Sequence, residues 1–198
     1  MRKRTALPRN GSPRQQRSPR AHVRKEIRFY RANEKPYGAF SNLYRCPIQF
    51  EDSDYPTAEH AYQAGKPARA RVREWILSAP TAAHVAMAAH GLYRWDIVPD
   101  WSRIKIERMR RVLRAKFTQH EDLRTLLIST GEARLVEAGR TDNPVNREWG
   151  EVNGKGMNRL GNLLMELREE LRQQRCMSNP ERAPNSLPTG RPPILRLR

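Results

Sequence analysis

Apolar residues recur at three- and four-residue steps through most of the chain and at two-residue steps in only a few short places. The alternating run E-I-R-F-Y-R at 26–31 predicts a strand, followed by a turn-rich N-E-K-P-Y-G-A-F-S-N. A second strand is expected over 43–50, with Pro47 marking an edge or a bulge, and a turn over 51–54. Thr57 suits an N-cap, so a helix is expected from Ala58 to about Pro67. A second helical piece covers 69–78, and Thr81 caps a third through about Ala89. From Asp100 or Trp101, the spacing of Ile104, Met109, Val112, Leu113 and Phe117 predicts a long helix with one buried stripe. A shorter helix follows from His120 to Ser129, then a turn at Thr130-Gly131 and another helical turn through Glu137. Residues 139–157 read as a Gly/Asn-rich loop, too long for a simple connector. The last helix, Asn158 to about Gln174, carries Leu160, Leu163, Leu164, Leu167 and Leu171 on one side. The fold class is therefore α+β, a single helix-rich domain with a small sheet.

The net charge of +17 on 198 residues invites a nucleic-acid reading, but its location changes that reading. Residues 1–28 hold ten Lys/Arg against one acid, residues 172–198 hold six against one, and the segment between is only mildly basic. The Arg/Pro/Ser-rich start lacks an apolar run, and five prolines interrupt the last 21 residues, so both ends are expected to be disordered. The expected organisation is a disordered basic tail at 1–25, one catalytic domain at 26–174 and a Pro/Arg-rich tail at 175–198. Such tails either make weak nucleic-acid contacts or serve as solvated extensions, and no aromatic interleaving favours the first. The nearly neutral middle segment argues against a purely nucleic-acid-binding protein. Cys46 and Cys176 lie far apart and form no disulfide framework. No stretch approaches the ~20 apolar residues of a membrane helix. The Arg/Ser-rich start has some transit-peptide character but no amphipathic pattern, so a cytoplasmic location is expected. Nothing in the pattern specifies an oligomeric state.

The five histidines are scattered without zinc-type spacing, and neither a P-loop nor a Rossmann fingerprint is present, so no metal or cofactor is expected. Gly154-Lys155-Gly156 is only loosely like a phosphate loop. The expected helix after Thr57 is more informative: Glu59, Gln63 and Lys66 fall at i, i+4 and i+7 and share one face beside Tyr62. An acid, an amide and an amine on one face suit a polar cleft. A first-turn glutamate is equally favoured by the helix dipole alone. Trp75, beside Ile76 and Leu77, reads as core. Trp95, Trp101 and Trp149 fall on loops, where each either wedges the loop onto the domain or stacks on a ligand.

The segments FYRANEKPYGAFSNLY, YPTAEHAYQAGK, PDWSRIKIERMRRVLRAKFTQH and NGKGMNRLGNLLMELREEL, in this order, resemble the YbiA-like, NADAR-type N-glycosidases. The resemblance spans roughly residues 26–172 and excludes the tails. It implies hydrolysis of N-glycosidic bonds of ribosylated heterocycles. Two activities go with it: release of ribose 5-phosphate from early pyrimidine intermediates of riboflavin synthesis, and removal of ADP-ribose from modified bases. By motif, the family's acidic residue falls on Glu59, its tryptophans on Trp101 and Trp149, and its lysine on Lys66. Where similar sequences carry an aspartate three residues before the W-G tryptophan, this chain has Asn146 in a longer loop, with Asp142 nearby. Either Asp142 takes that role, or activity is reduced, or the role needs no charge.

On this reading Glu59 activates water and stabilises a ribosyl cation, while Trp101 and Trp149 frame the base. Asn42 and Asn146 or Asp142 hold ribose hydroxyls, and Lys66 and Arg159 take phosphate. Tyr30, His60, Gln63, Lys155 and Asn158 complete the expected substrate contacts. In a variant mechanism Lys66 attacks C1′ and forms a Schiff base with the opened sugar. The partner is a small phosphoribosyl or ADP-ribosyl molecule. Two other readings remain: an ADP-ribose hydrolase acting on nucleic acid, and a catalytically silent binding module.

Overall fold

The computed structural model describes residues 25–178; most of both expected tails lies outside the described residues. Four strands, β1 (Glu26–Phe29), β2 (Ile48–Phe50), β3 (Ser53–Tyr55) and β4 (Arg134–Glu137), form two small two-stranded sheets. Seven helices surround them: α1 (Ala58–Gln63), α2 (Ala70–Leu77), α3 (Ala82–His90), α4 (Trp101–Gln119), α5 (Glu121–Ser129), α6 (Pro144–Trp149) and α7 (Arg159–Ser178). The α+β architecture is as the periodicity predicts. Among the described residues no helix is long and apolar enough to cross a membrane.

The core forms where α4 and α7 close over the sheets. Met109, Val112, Leu113 and Phe117 of α4 and Leu160, Leu163, Leu164, Leu167 and Leu171 of α7 are all buried. They pack with Ile27, Phe29 and Leu135 from the paired strands and with Phe40 from the turn-rich segment. Phe40 stands edge-on to Phe29 at 5.7 Å between ring centroids, a favoured aromatic geometry.

Several expectations are corrected. The segment ending at Glu137 is strand, not a helical turn: β4 runs parallel to β1, with Ile27 opposite Leu135 and Phe29 opposite Glu137. That pairing joins residues more than a hundred positions apart, so no local signal announces it. The second strand is only Ile48–Phe50, and the expected turn at 51–54 is the tip of a β2–β3 hairpin. Glu51 and Asp52 make that tip in the left-handed conformation that Asp and similar residues tolerate in turns. The long 139–157 loop contains α6, capped by the Asn143 side chain and carrying Pro144 in its first turn. Trp75 is 61% exposed rather than core, and Ile104 lies outside the buried stripe at 45%. Helix α7 continues to Ser178, beyond the expected end at Gln174.

One buried cation holds an important segment in place. Lys116, fully enclosed on α4, donates from Nζ to the carbonyls of Ala39 (2.6 Å) and Ser41 (2.9 Å). Burial pulls its pKa down to about 7. A buried lysine is tolerated because two backbone carbonyls converge on its Nζ and satisfy it. Lys116→Met keeps the stem and removes both donors. It is expected to lower unfolding free energy by about 2–4 kcal/mol in urea titration. An unchanged midpoint would show that these carbonyls find other partners.

Candidate active site

Helix α1 is short, and its ends are fixed from outside. Thr57 accepts a hydrogen bond from the backbone N–H of His60 at 3.3 Å, and its hydroxyl pairs with His60 Nδ1 at 2.8 Å. The histidine of the T-x-E-H element thus completes the cap. At the other end, Arg108 of α4 donates to the carbonyls of Ala61 (2.6 Å) and Tyr62 (3.0 Å). The guanidinium occupies the space a Cβ on Gly65 would fill, which explains the glycine there. The helix therefore ends at Gln63 instead of Pro67, and Lys66 follows in the turn.

This anchoring directs Glu59, Tyr62, Gln63 and Lys66 into one cavity of about 680 Å³, which the end of β4 also lines. Trp101 and Trp149 line it from α4 and α6, and both pack on Tyr62, at 5.4 and 5.5 Å between centroids. Glu59 is 8% exposed; Gln63 Nε2 donates to its Oε1 at 2.8 Å. Burial raises the Glu59 pKa to about 7, against the opposing pull of the Gln63 hydrogen bond and of Lys66. Lys66 Nζ donates to the Ala89 carbonyl at 2.5 Å, and burial lowers its pKa, with Lys105 adding to that effect. Two acceptors in the cavity lack a hydrogen-bond partner, Asn42 Oδ1 and Gln63 Oε1. Unsatisfied buried oxygens of this kind are suited to receiving donors from a ligand.

Of the residues singled out by sequence, Glu59, Lys66, Trp101, Asn146, Trp149, Tyr30, Asn42 and Gln63 line the cavity. Asp142, His60, Lys155, Asn158 and Arg159 do not. Asp142 lies on the surface, held by Arg147 at 2.5 and 2.6 Å, outside the cavity. His60 serves the cap. Lys155 is exposed at a tight turn bridged to Val152. Arg159 lies 3.4 Å from Glu148 in an ion pair. Asn158 is buried in the left-handed conformation, and its amide clamps β4: Oδ1 accepts from Glu137 N at 3.1 Å, and Nδ2 donates to the Leu135 carbonyl at 2.8 Å.

The cavity also holds residues that sequence reasoning missed, chiefly Glu137, Arg31 and the Lys105–Glu148 ion pair at 2.6 Å. Burial, and then the nearby charge of Glu59, raise the Glu137 pKa to about 7. The residue closes β4 directly beneath the W-G loop. A side chain on Gly150 would collide with the Glu137 carbonyl, which is why a glycine follows the tryptophan. A strand reading of 134–137 would have placed Glu137 at a strand's C-terminal end, a frequent position for functional groups.

A pocket framed by indoles and holding carboxylates, amides and a lysine defines a site built for a polar, ring-bearing small molecule. The NADAR domain model matches residues 28–172, and the chain belongs to that family. It is an N-glycosidase, like its relatives. It is 44% identical over 149 residues to N-glycosidase YbiA of Shigella flexneri serotype 5b, covering 73% of this chain and 88% of that protein. A riboflavin biosynthesis protein of Vibrio vulnificus is 36% identical over 148 residues, which cover 74% of this chain and 39% of that protein. The NMR structure of the E. coli protein YbiA is similar with a TM-score of 0.68 at 39% identity, covering 76% of this chain and 87% of that one.

The raised pKa of Glu59 has a thermodynamic consequence. The folded protein favours the protonated acid, so the cost of ionising it grows as pH rises from about 4.5 to about 7 and is complete above that. Glu59→Gln removes this cost while keeping the acceptor for Gln63. Its melting temperature is expected to match the wild type near pH 4.5 and exceed it at pH 8, with the gain developing across that window. A gain independent of pH would contradict the assigned burial.

Proposed function

We propose that this N-glycosidase hydrolyses the C–N bond between a heterocyclic base and phosphoribose in early intermediates of riboflavin synthesis, releasing ribose 5-phosphate. The observation that carries the reading is the convergence of Glu59, two tryptophans and two unsatisfied amide oxygens on one cavity. The riboflavin biosynthesis label on the Vibrio vulnificus relative supports the substrate class.

Cleavage of an N-riboside builds positive charge at C1′ and on the ring oxygen, and needs a delivered water. Glu59 orients that water, takes its proton and stabilises the cation. Trp101 and Trp149 hold the departing heterocycle between faces that exclude bulk water. Asn42 Oδ1 and Gln63 Oε1 accept from ribose hydroxyls, and Asn146, whose Nδ2 is held by the Thr141 carbonyl at 2.7 Å, offers its own oxygen. The phosphate goes to the cavity's cations, Lys66 and Arg31. The hydrogen bond from Lys66 Nζ to Ala89 favours this electrostatic role over nucleophilic attack.

The test supplies the purified chain with a ribosylaminopyrimidine 5′-phosphate and measures released base by chromatography. A base carrying ADP-ribose is run in parallel. Free base and ribose 5-phosphate are expected from the first. Faster turnover of the second would reassign the substrate, and binding without base release from either would leave only a binding module. Glu59→Gln is expected to lower turnover by roughly 10²–10⁴-fold, the usual contribution of a positioned acid–base group. Borohydride added during turnover is expected to trap no adduct. A labelled Lys66 would instead establish the Schiff-base route.

A further inference from the structure

We infer that Glu137 is a second catalytic carboxyl group, the general acid that protonates the departing base nitrogen while Glu59 handles water. The inference rests on the glycosidase reading above and adds to it the division of labour between two acids. Glu137 lines the same cavity as Glu59, from the end of β4 where Glu59 comes from α1, and the negative charge of Glu59 acts on it.

Their surroundings are unequal, and the inequality assigns the roles. Glu59 accepts from Gln63 Nε2 at 2.8 Å and feels Lys66, and both favour the ionised form. Among the described residues no side-chain donor is found on the Glu137 carboxyl. Its nearest electrostatic influence is the negative charge of Glu59, which favours its protonated form. The Gln63 donor on Glu59 suits that residue to act as the base, and Glu137, with no such donor, to act as the acid. The pair is then loaded for hydrolysis, with a base on one side and an acid on the other.

The chemistry balances. Water oxygen bonds to C1′ as the C1′–N bond breaks, and the bonding pair leaves with nitrogen. Glu137 gives its proton to that nitrogen, and Glu59 receives one from the water. Proton transfer between the carboxyl groups, directly or through solvent, resets the site. No co-reactant beyond water is needed.

The other titratable groups lining the cavity are Tyr30 and Arg31 after β1, Tyr62 on α1, Lys66 beyond it, His90 on α3, Lys105 on α4 and Glu148 on α6. Lys105 and Glu148 pair with each other, and burial lowers the pKa of His90. A general acid within this set should produce an alkaline limb in the pH dependence of kcat that vanishes with its proton.

The deciding experiment compares full-length wild type, Glu137→Gln and Glu59→Gln on the ribosylaminopyrimidine 5′-phosphate across pH 5–9. Glu137→Gln is expected to lower kcat by roughly 10²–10⁴-fold with KM changed little, and to lose the alkaline limb. Glu59→Gln is expected to lose the acid limb instead. An N-ribosyl pyridinium phosphate, whose base leaves neutral without a proton, is expected to restore Glu137→Gln toward wild type and not Glu59→Gln. Wild-type kcat and an intact alkaline limb in Glu137→Gln would overturn the inference, as would an equal loss on both substrates. If Glu137→Gln fails to fold, Glu137→Asp, which keeps a titratable carboxyl in a shifted position, carries the test: a displaced alkaline limb would support the inference and an unmoved limb at wild-type kcat would overturn it. A wild type inactive on every riboside would instead strike the glycosidase reading itself, so the two failures are distinguishable.

Discussion

A carboxyl group removed from water sets the terms for everything around it. Glu59 sits in the first turn of a six-residue helix, and a helix that short has no stability of its own in water. Its burial is unfavourable in the charged form, so the surrounding protein must hold both the helix and the acid in place. Thr57 and His60 close the front of α1, and Arg108 takes the carbonyls at its back. The Glu59 backbone N–H donates to the Asn42 carbonyl at 3.1 Å. Asn42 in turn follows the carbonyls gripped by Lys116. A chain of contacts therefore runs from the buried Lys116 of α4 to the turn that carries the carboxylate.

The β4 side of the cavity is built on different means. Strand β4 pairs with β1 on one side, and Asn158 on the other supplies an amide that mimics a neighbouring strand. The Glu151 N–H donates to the Glu137 carbonyl at 2.8 Å, drawing the W-G loop down onto the strand end. Trp149 packs on Tyr62, as does Trp101 from the start of α4. Two carboxyl groups thus face one cavity from walls pinned by separate networks. Preorganisation of this kind lets charged groups act without waiting for solvent to rearrange.

What was legible in the sequence follows from how local each signal is. The long helices, the Thr57 cap and the shared face of Glu59 and Gln63 depend on neighbours within a turn or two and are found as read, while Lys66 reaches the same cavity from the turn after the helix. Glu137 was missed because its strand is defined by a partner more than a hundred residues away, while Leu135-Val136 is too short a run to separate strand from helix. His60, Asn158 and Arg159 lie in motifs that resemble a known family, and motif membership does not separate a residue that touches substrate from one that holds the fold. Their polar groups are engaged by the Thr57 hydroxyl, the β4 backbone and Glu148. Trp75 looked like core because it neighbours Ile76 and Leu77, yet only Ile76 of the three is buried, since a helix turns successive residues to different sides.

The replacement at Asn146 is explained by the charge already in the cavity. Glu59, Glu137 and Glu148 bring three carboxyl groups to the lining, against Lys66, Lys105 and Arg31. Lys105 is engaged by Glu148, and Lys66 is shared between a carbonyl and the field of Glu59. A further carboxylate at 146 would push the Glu59 and Glu137 pKa values higher still, because like charges in a poorly solvated space disfavour one another's ionised forms. An amide keeps a hydrogen-bonding oxygen at the same place without that penalty. Asp142 lies out in solvent, where its hydrogen bond to Arg147 holds its carboxyl below the ordinary range. An amide at 146 therefore leaves the proposed acid–base pair, Glu59 and Glu137, without a further like charge beside it.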